Sequence, residues 1–406
     1  MKTVNQGGSY YAGSSPDVTS HNPNTSVNFG TMVATVGNGG EAFNVFDLAV
    51  FGADYVKAVK GSRPSQAYTV KWQANGGITV SGTSGSTTTL RDTGGYDDAV
   101  ILHEWAHYVM NNYSKSSSAG GTHYLSDCNE DLRLSFDEGR ASSFGLSVRR
   151  YFGMPFCNVY VKTDGASGPG HAQNAYDLED ATQYPCTGDT SEVAISRTLW
   201  DISDSVSTTD MTPGIEDVQD RLALPDSELW QVYIGPIKNA TTSVTHETFW
   251  DGWFDPTVAN GYFPEMKDNF GLYQIEFWQD AYEPNNTTSQ ATPIVVNNVP
   301  LHNTYFYDPD GNGKGEADTD LFKLQATSGT SYTIETLNLL SDSNTNLELL
   351  DTNGTTVLAS NNDRATGDFS SKIVWTAPRT DMFYVRSKHA SDFGKYGSYD
   401  FRVTSP

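Results

Sequence analysis

His103-Glu104-Trp105-Ala106-His107 places two imidazoles four residues apart. On a helix that spacing puts both on one face, one turn apart, so both rings can reach a single ion. Glu104 is rotated toward the same cleft, where its carboxylate can take a proton from a metal-bound water and pass it to a leaving amine. Zinc is the ion such a pattern expects: borderline-soft, tetrahedral, held by three protein ligands with one position open for water. The bare pentapeptide arises by chance in many chains, so its setting matters. Val100, Ile101 and Leu102 precede it, Ala99, Leu102, Ala106 and Val109 form an apolar stripe, and the pair Asp97-Asp98 suits a helix N-terminus, where carboxylates meet the positive dipole end.

A third ligand must come from elsewhere. Met110 and Tyr113 stand where the longer HExxHxxGxxH pattern has its Gly and third His, which rules that pattern out. The next candidate is Glu138 in Phe136-Asp137-Glu138-Gly139-Arg140-Ala141, on a second helix about 30 residues on. The small residues Gly139 and Ala141 would let that helix pack close to the first. Asp137, Glu130, Asp131, Asp164 and Asp177 remain competitors. Asp137, Asp201 and Asp204 are candidates to accept the outer N–H of a ligand histidine.

At these residues the chain resembles gluzincin-type metallopeptidases, whose second helix carries Glu-Gly-x-Ala or a close variant, as in the fungalysin-like and clostridial-collagenase-like families. The resemblance covers about residues 41–204. It implies that Glu138 is the third zinc ligand and that a Tyr or His stabilises the oxyanion. His171, in Gly-Pro-Gly-His-Ala-Gln-Asn-Ala-Tyr, and Tyr176 are the candidates for that role.

The elements that must position these groups can be read from periodicity. Helices are expected at 41–60, ending before Gly61 and Pro64, at about 98–112, at 135–151, and at 191–204 as a structural helix behind the site. A strand is expected at 67–73, with a Thr-rich pair over 79–90; strand 67–73 is a candidate edge strand for an extended peptide. Residues 1–30 read as irregular or an extended arm. Residues 226–278 read as mainly helical, with Trp250, Trp253, Phe254 and Trp278 clustered.

Composition changes after Trp278. Residues 279–406 hold no Cys and one of the eight Trp, and carry short alternating runs at 301–307, 320–326, 331–337, 345–351, 355–359, 372–376, 382–388 and 398–404, with an Asn353-Gly354 hairpin turn. The expected architecture is therefore two domains: an α+β zincin-like catalytic domain over 1–278, with a mixed sheet and active-site helices, and an all-β sandwich or jelly roll over 279–406. The ordered set Glu283-Pro-Asn-Asn, Asp318-Thr-Asp320-Leu-Phe, Gly329-Thr-Ser-Tyr332 and Gly397-Ser-Tyr399-Asp-Phe resembles the bacterial pre-peptidase C-terminal domain found on secreted peptidases. That resemblance implies a structural Ca²⁺ site, with Glu283, Asn285, Asp318 and Asp320 as candidate ligands, a set of oxygens suited to calcium. Asp310 and Asn312 are weaker guesses. Tyr305, Tyr307, Trp375 and Tyr384 fit core packing better than a ligand face.

The whole chain has 406 residues, with 25 basic against 49 acidic side chains and a net charge of −24. Such a chain repels a phosphate backbone, which excludes nucleic acid as a partner. No apolar stretch approaches the 18 residues that a membrane span needs. Its 19 Phe, 22 Tyr and eight Trp are ample for packed cores. Cys128, Cys157 and Cys186 permit one disulfide, whose pairing stays open. The opening MKTVNQGGSYYAGSS lacks the apolar run of a leader; on a secreted reading, that leader and any pro-segment lie outside the given sequence and Met1 is an added start. The expectation is a secreted, monomeric zinc endopeptidase acting on proteins or peptides, possible substrates including extracellular matrix or glycoproteins. A matrix- or glycan-binding adhesin with a non-catalytic metal domain, and a peptidase of narrow glycoprotein or peptide specificity, are the alternatives.

Overall fold

The computed structural model of the chain describes residues 2–4, 7–9, 11, 34, 39–73, 76–154, 158–159, 176–178, 184–204, 221–391 and 394–406. Compact packing divides the chain into one unit of Met1–Ser114, Arg140–Gln183 and Thr208–Asp217, and a second of Lys115–Gly139, Tyr184–Ser207 and Val218–Pro406.

In the first unit, strand β1 (Lys2–Val4) precedes helix α1 (Gly40–Lys60). Gly61 ends α1 at φ 90°, its N–H closing on the Lys57 carbonyl, as the Gly-x-x-Pro signal predicts. Strands β2 (Thr69–Lys71), β3 (Gly82–Ser84) and β4 (Thr87–Thr89) join β1 in a mixed sheet of order β1-β2-β4-β3. The pairs β1–β2 and β2–β4 are parallel, and β3–β4 is antiparallel. This corrects the edge-strand expectation: β2 is paired on both sides because the segment read as irregular or an extended arm supplies β1, and among the described residues the edges are β1 and β3. Helix α2 (Asp98–Tyr113) carries the histidine motif and is capped by Asp97, whose side chain accepts the Val100 N–H. Arg91 donates to the same buried Asp97 carboxylate at 2.5 Å. α2 packs against α1 where Gly52 meets the Trp105 ring; a Cβ there would stand 2.9 Å from Trp105 Cε3, so only glycine admits the approach.

Helix α3 (Leu132–Tyr151) begins three residues before the predicted start, and the division between the units falls within it. Two short strands follow, β5 (Asn158–Val159) and β6 (Tyr176–Asp177), which pair antiparallel.

The second unit holds α4 (Glu192–Trp200), α5 (Asp226–Val232) running into a π-turn at Tyr233–Ile237, α6 (His246–Trp253) and α7 (Phe263–Leu272). Among the described residues it also holds eleven strands. They are β7 (Thr292–Pro293), β8 (Leu301–Thr304), β9 (Phe306–Tyr307), β10 (Glu316–Ala317), β11 (Thr319–Ala326), β12 (Ser331–Leu340), β13 (Thr345–Leu350), β14 (Val357–Asn361), β15 (Lys372–Thr376), β16 (Asp381–His389) and β17 (Ser398–Thr404). Sheets of order β14-β13-β16-β11-β7 and β15-β12-β17-β8 face each other. Alternate residues fill the space between them: Phe322 and Leu324 of β11, Leu347 and Leu349 of β13, and Phe383 and Val385 of β16 meet Ile334 of β12, and Phe401 and Val403 of β17. Phe322 and Phe401 stack at 4.0 Å between centroids.

The compact units cut the chain elsewhere than the composition break at 278. Helices α5 to α7 belong with the sandwich, because the Trp250 indole donates to the Gly313 carbonyl at 2.9 Å and Glu247 accepts the Lys395 and Tyr396 amides at 3.0 and 2.8 Å. Sequence composition cannot register such long-range bonds. Among the described residues no helix is long and apolar enough to cross a membrane.

Candidate metal centre

The first turn of α2 is anchored by Asp97, so the helix is held at its start while its apolar stripe is buried: Ala99, Leu102, Ala106 and Val109 are all inaccessible. His103, Glu104 and His107 lie outside that stripe. His103 Nε2 and His107 Nε2 stand 3.1 Å apart. Two nitrogens bound at 2.0–2.1 Å to one tetrahedral ion would stand about 3.3 Å apart, so the separation fits shared ligation. His103 is turned by its other nitrogen, which lies 3.1 Å from Ser142 Oγ on α3. Glu138 sits one turn before Ser142 on the same helix face. One ring nitrogen of each histidine and a Glu138 carboxylate oxygen all lie within 4.8 Å of one another, a nitrogen-nitrogen-oxygen donor set suited to zinc.

Glu104 is held from the sheet. Thr83 Oγ1 on β3 lies 2.7 Å from Glu104 Oε2 and 3.0 Å from the Glu104 carbonyl. Thr83 Oγ1 is 2.5 Å from Thr88 Oγ1 on β4, which in turn is 2.7 Å from the Tyr68 hydroxyl. Each hydroxyl has one proton and the carboxylate has none. The chain therefore points one way, with Tyr68 donating to Thr88, Thr88 to Thr83, and Thr83 to Glu104 Oε2. Burial pushes the Tyr68 phenol far above its ordinary range, which keeps it a donor.

Of the two small residues expected at the helix contact, Gly139 lies elsewhere. Gly139 faces α4, where a Cβ would come within 2.7 Å of Ile195 Cγ2, whereas Gly145 lies against Leu102 and His103 of α2. Among the competing ligands, Asp131 is paired with Arg133. Asp201 accepts the Tyr273 hydroxyl at 2.9 Å, and Ser142 Oγ lies at the outer nitrogen of His103. His171 and Asp164 lie outside the described residues. Tyr176 and Asp177 form β6, and only their backbone is described.

Glu130 belongs to a second group. His123 Nδ1 stands 3.0 Å from Glu192 Oε2, and His123 Nε2 is 3.7 Å from Glu138 Oε2. The bond to Glu192 raises the His123 imidazole to about 9, and burial raises the Glu130 carboxyl to about 8. Neither His123 nor Glu192 carries a local sequence signal.

The sandwich has its own acidic pocket. Asp280, Glu283 and Asp320 bring carboxylate oxygens within 4.8 Å of one another. Asp318 stands near Glu283, and burial pushes the carboxyls of Glu283, Asp318 and Asp320 upward. Glu283 Oε1 and Asp318 Oδ2 are buried with no hydrogen-bond partner among the described residues, which is the state expected of oxygens shaped for a cation. Asn285 braces this pocket. Its amide donates to Asp320 Oδ1 at 2.9 Å and its oxygen accepts the Leu321 N–H at 3.3 Å, so it positions Asp320. Asp280, which opens the segment, is the residue sequence reasoning passed over. Asp310 and Asn312 close on each other in a turn whose Asp308 carboxylate accepts the Gly311 and Gly313 amides. Tyr305 is buried and Tyr307, Trp375 and Tyr384 are half-buried, with Trp375 packed against the sandwich core.

Cys128 and Cys186 form a disulfide. Cys157 lies outside the described residues.

No family model matches the chain, and no curated protein matches it. Among solved structures, the chain is similar to the pre-peptidase C-terminal domain of a collagenase from Bacillus anthracis, at 17% identity and a TM-score of 0.22, over 28% of this chain and 93% of that one. It is also similar to PliG of Aeromonas hydrophila, a periplasmic inhibitor of g-type lysozyme, at 12% identity and a TM-score of 0.21, over 29% of this chain and 96% of that one.

Proposed function

We propose that the chain is a secreted zinc-dependent endopeptidase whose 279–406 segment is an accessory, calcium-stapled sandwich. The observation that carries the reading is the convergence of a ring nitrogen of His103 and one of His107 on a Glu138 oxygen, with Glu104, next to His103 in the chain, held by Thr83. A zinc ion held by these three residues would supply Lewis-acid polarisation of the scissile carbonyl and acidify the attacking water.

The chain's own groups do the remaining work. Thr83 occupies Glu104 Oε2, which leaves Oε1 to accept a proton from water. Glu104 then returns that proton to the leaving amine, so peptide and water become acid and amine with no net change at the carboxyl. Ser142 holds the His103 ring, and with it the direction of Nε2. β3 ends its sheet, and an extended peptide paired along Gly82–Ser84 would run past Glu104. The Cys128–Cys186 disulfide supports an oxidising, extracellular setting. For the sandwich, the orphaned oxygens of Glu283 and Asp318 support a calcium ion held with Asp280 and Asp320.

The test pairs metal analysis with cleavage of a denatured protein substrate, with and without a chelator. Near-stoichiometric zinc and chelator-sensitive cleavage are expected. Glu104→Gln should keep the zinc and lose at least the 10²–10⁴-fold that a general acid-base group contributes, read as kcat. Undiminished cleavage by Glu104→Gln overturns the mechanism, and an absence of both zinc and cleavage turns the reading to an adhesin.

A further inference from the structure

The segment between α2 and α3 carries a second, separately built donor group. Cys128 is bonded to Cys186, Thr190 Oγ1 donates to the Cys128 carbonyl at 2.9 Å, and the Glu130 N–H donates to the Thr190 carbonyl at 2.9 Å. The Glu192 N–H then donates to Glu130 Oε2 at 3.1 Å. These links lock two carboxylates from distant stretches of chain side by side. Glu192 also holds His123 through Nδ1 at 3.0 Å. Donor atoms of His123, Glu130 and Glu192 all lie within 4.8 Å of one another.

Glu130 is only 9% exposed, and its Oε1 has no hydrogen-bond partner among the described residues. A buried carboxylate oxygen left bare in a fully braced loop calls for a partner that a hydrogen bond does not supply. Among the described residues, His123 is the one cation paired with Glu192, and it can neutralise only one of the two carboxylates. The group opens onto a cleft of about 550 Å³ lined by Thr122, His123, Ser126, Asp127 and Leu134, which gives an ion a way in.

We propose that His123, Glu130 and Glu192 form a second divalent transition-metal site, of the zinc class, distinct from the His103, His107 and Glu138 centre. One imidazole with two carboxylates suits zinc, cobalt or manganese; calcium and magnesium favour oxygen ligands alone. His123 Nε2 also stands 3.7 Å from Glu138 Oε2. The proposal does not rest on peptidase activity.

The experiment is zinc stoichiometry of the full chain after dialysis, joined to Co²⁺ titration followed by visible absorption. Two zinc ions per chain are expected in the unaltered protein, one in Glu130→Gln, and one in the His103→Ala/His107→Ala double variant. Two distinct cobalt spectra are expected, with the weaker component reduced in affinity by more than the 10–100-fold that even an outer-shell loss costs in His123→Gln. Should Glu130→Gln unfold, the cobalt titration of the unaltered chain and of His123→Gln still decides. One zinc per chain, lost in the double variant and kept in Glu130→Gln, overturns the second site. So does zinc binding at neither site. One zinc kept in the double variant and lost in Glu130→Gln supports the second site while removing the first.

Discussion

Replacing Thr83 with valine keeps the β-branched shape on β3 and removes the hydroxyl that holds Glu104. The deleted Oγ1 stands 2.7 Å from Oε2 and is the last donor of the Tyr68–Thr88–Thr83 chain. A hydrogen bond to a charged acceptor contributes about 1.5–3 kcal/mol net. At about 1.36 kcal/mol per decade of rate, its loss lowers kcat by roughly 10- to 150-fold if the bond is kept while the proton moves. KM should change little, because Thr83 holds the base and not the peptide backbone. Stability should also fall, because Thr88 is buried and its hydroxyl loses its acceptor, a cost of about 1–3 kcal/mol. Thr83→Ser restores the oxygen and should recover most of both. The assay is steady-state kinetics on one protein substrate, with thermal melts of each variant. Thr83→Val retaining kcat within threefold of the unaltered protein, with zinc still bound, would refute the positioning argument even if the chain is a peptidase.

Ser142→Ala should weaken zinc binding by about 10–100-fold through loss of the His103 orienting bond, measured by competition with a chromogenic chelator; unchanged affinity would assign the bond to packing alone. Calcium should raise the melting temperature of the protein, and Glu283→Gln should shrink that rise, with an equal rise in both arguing against the pocket as a cation site. Glu247 gives a pH signature. Burial raises its carboxyl to about 7, so its contribution to stability is present in full below the unfolded value near 4.5 and is lost as pH rises through 7. Urea unfolding at pH 5 and pH 7.5 should show a smaller pH-dependent loss in Glu247→Gln than in the unaltered chain; equal losses would show that Glu247 titrates normally.

Glu130, Glu247, Glu283, Asp318 and Asp320 are all held in folded sites that favour their protonated form, and burial is the leading cause in each case. Two of these groups, around Glu130 and around Glu283, leave carboxylate oxygens bare. A cation at either place would replace a retained proton and convert an electrostatic cost into a staple between chain segments. Glu247 differs, since backbone amides of Lys395 and Tyr396 already satisfy it.

Local pattern was enough to place α1, α2, α3 and the strands from β11 to β17 to within a few residues, because helix and strand periods of 3.6 and 2 are properties of neighbouring side chains. It was also enough to pair His103 with His107, since a four-residue spacing is one helical turn. What lay beyond it were the contacts made by residues far apart in the chain. Thr83 has no motif; it reaches Glu104 because β3 closes the edge of a sheet that β1 extends on the other side. Ser142 is one turn from Glu138, yet its bond to His103 exists only because α3 lies against α2 at Gly145. The Cys128–Cys186 pairing and the meeting of His123, Glu130 and Glu192 are likewise decided by which segments fold beside each other. Spacing along a chain determines which side chains share a face, whereas the partners of that face are set by packing, which no local period encodes.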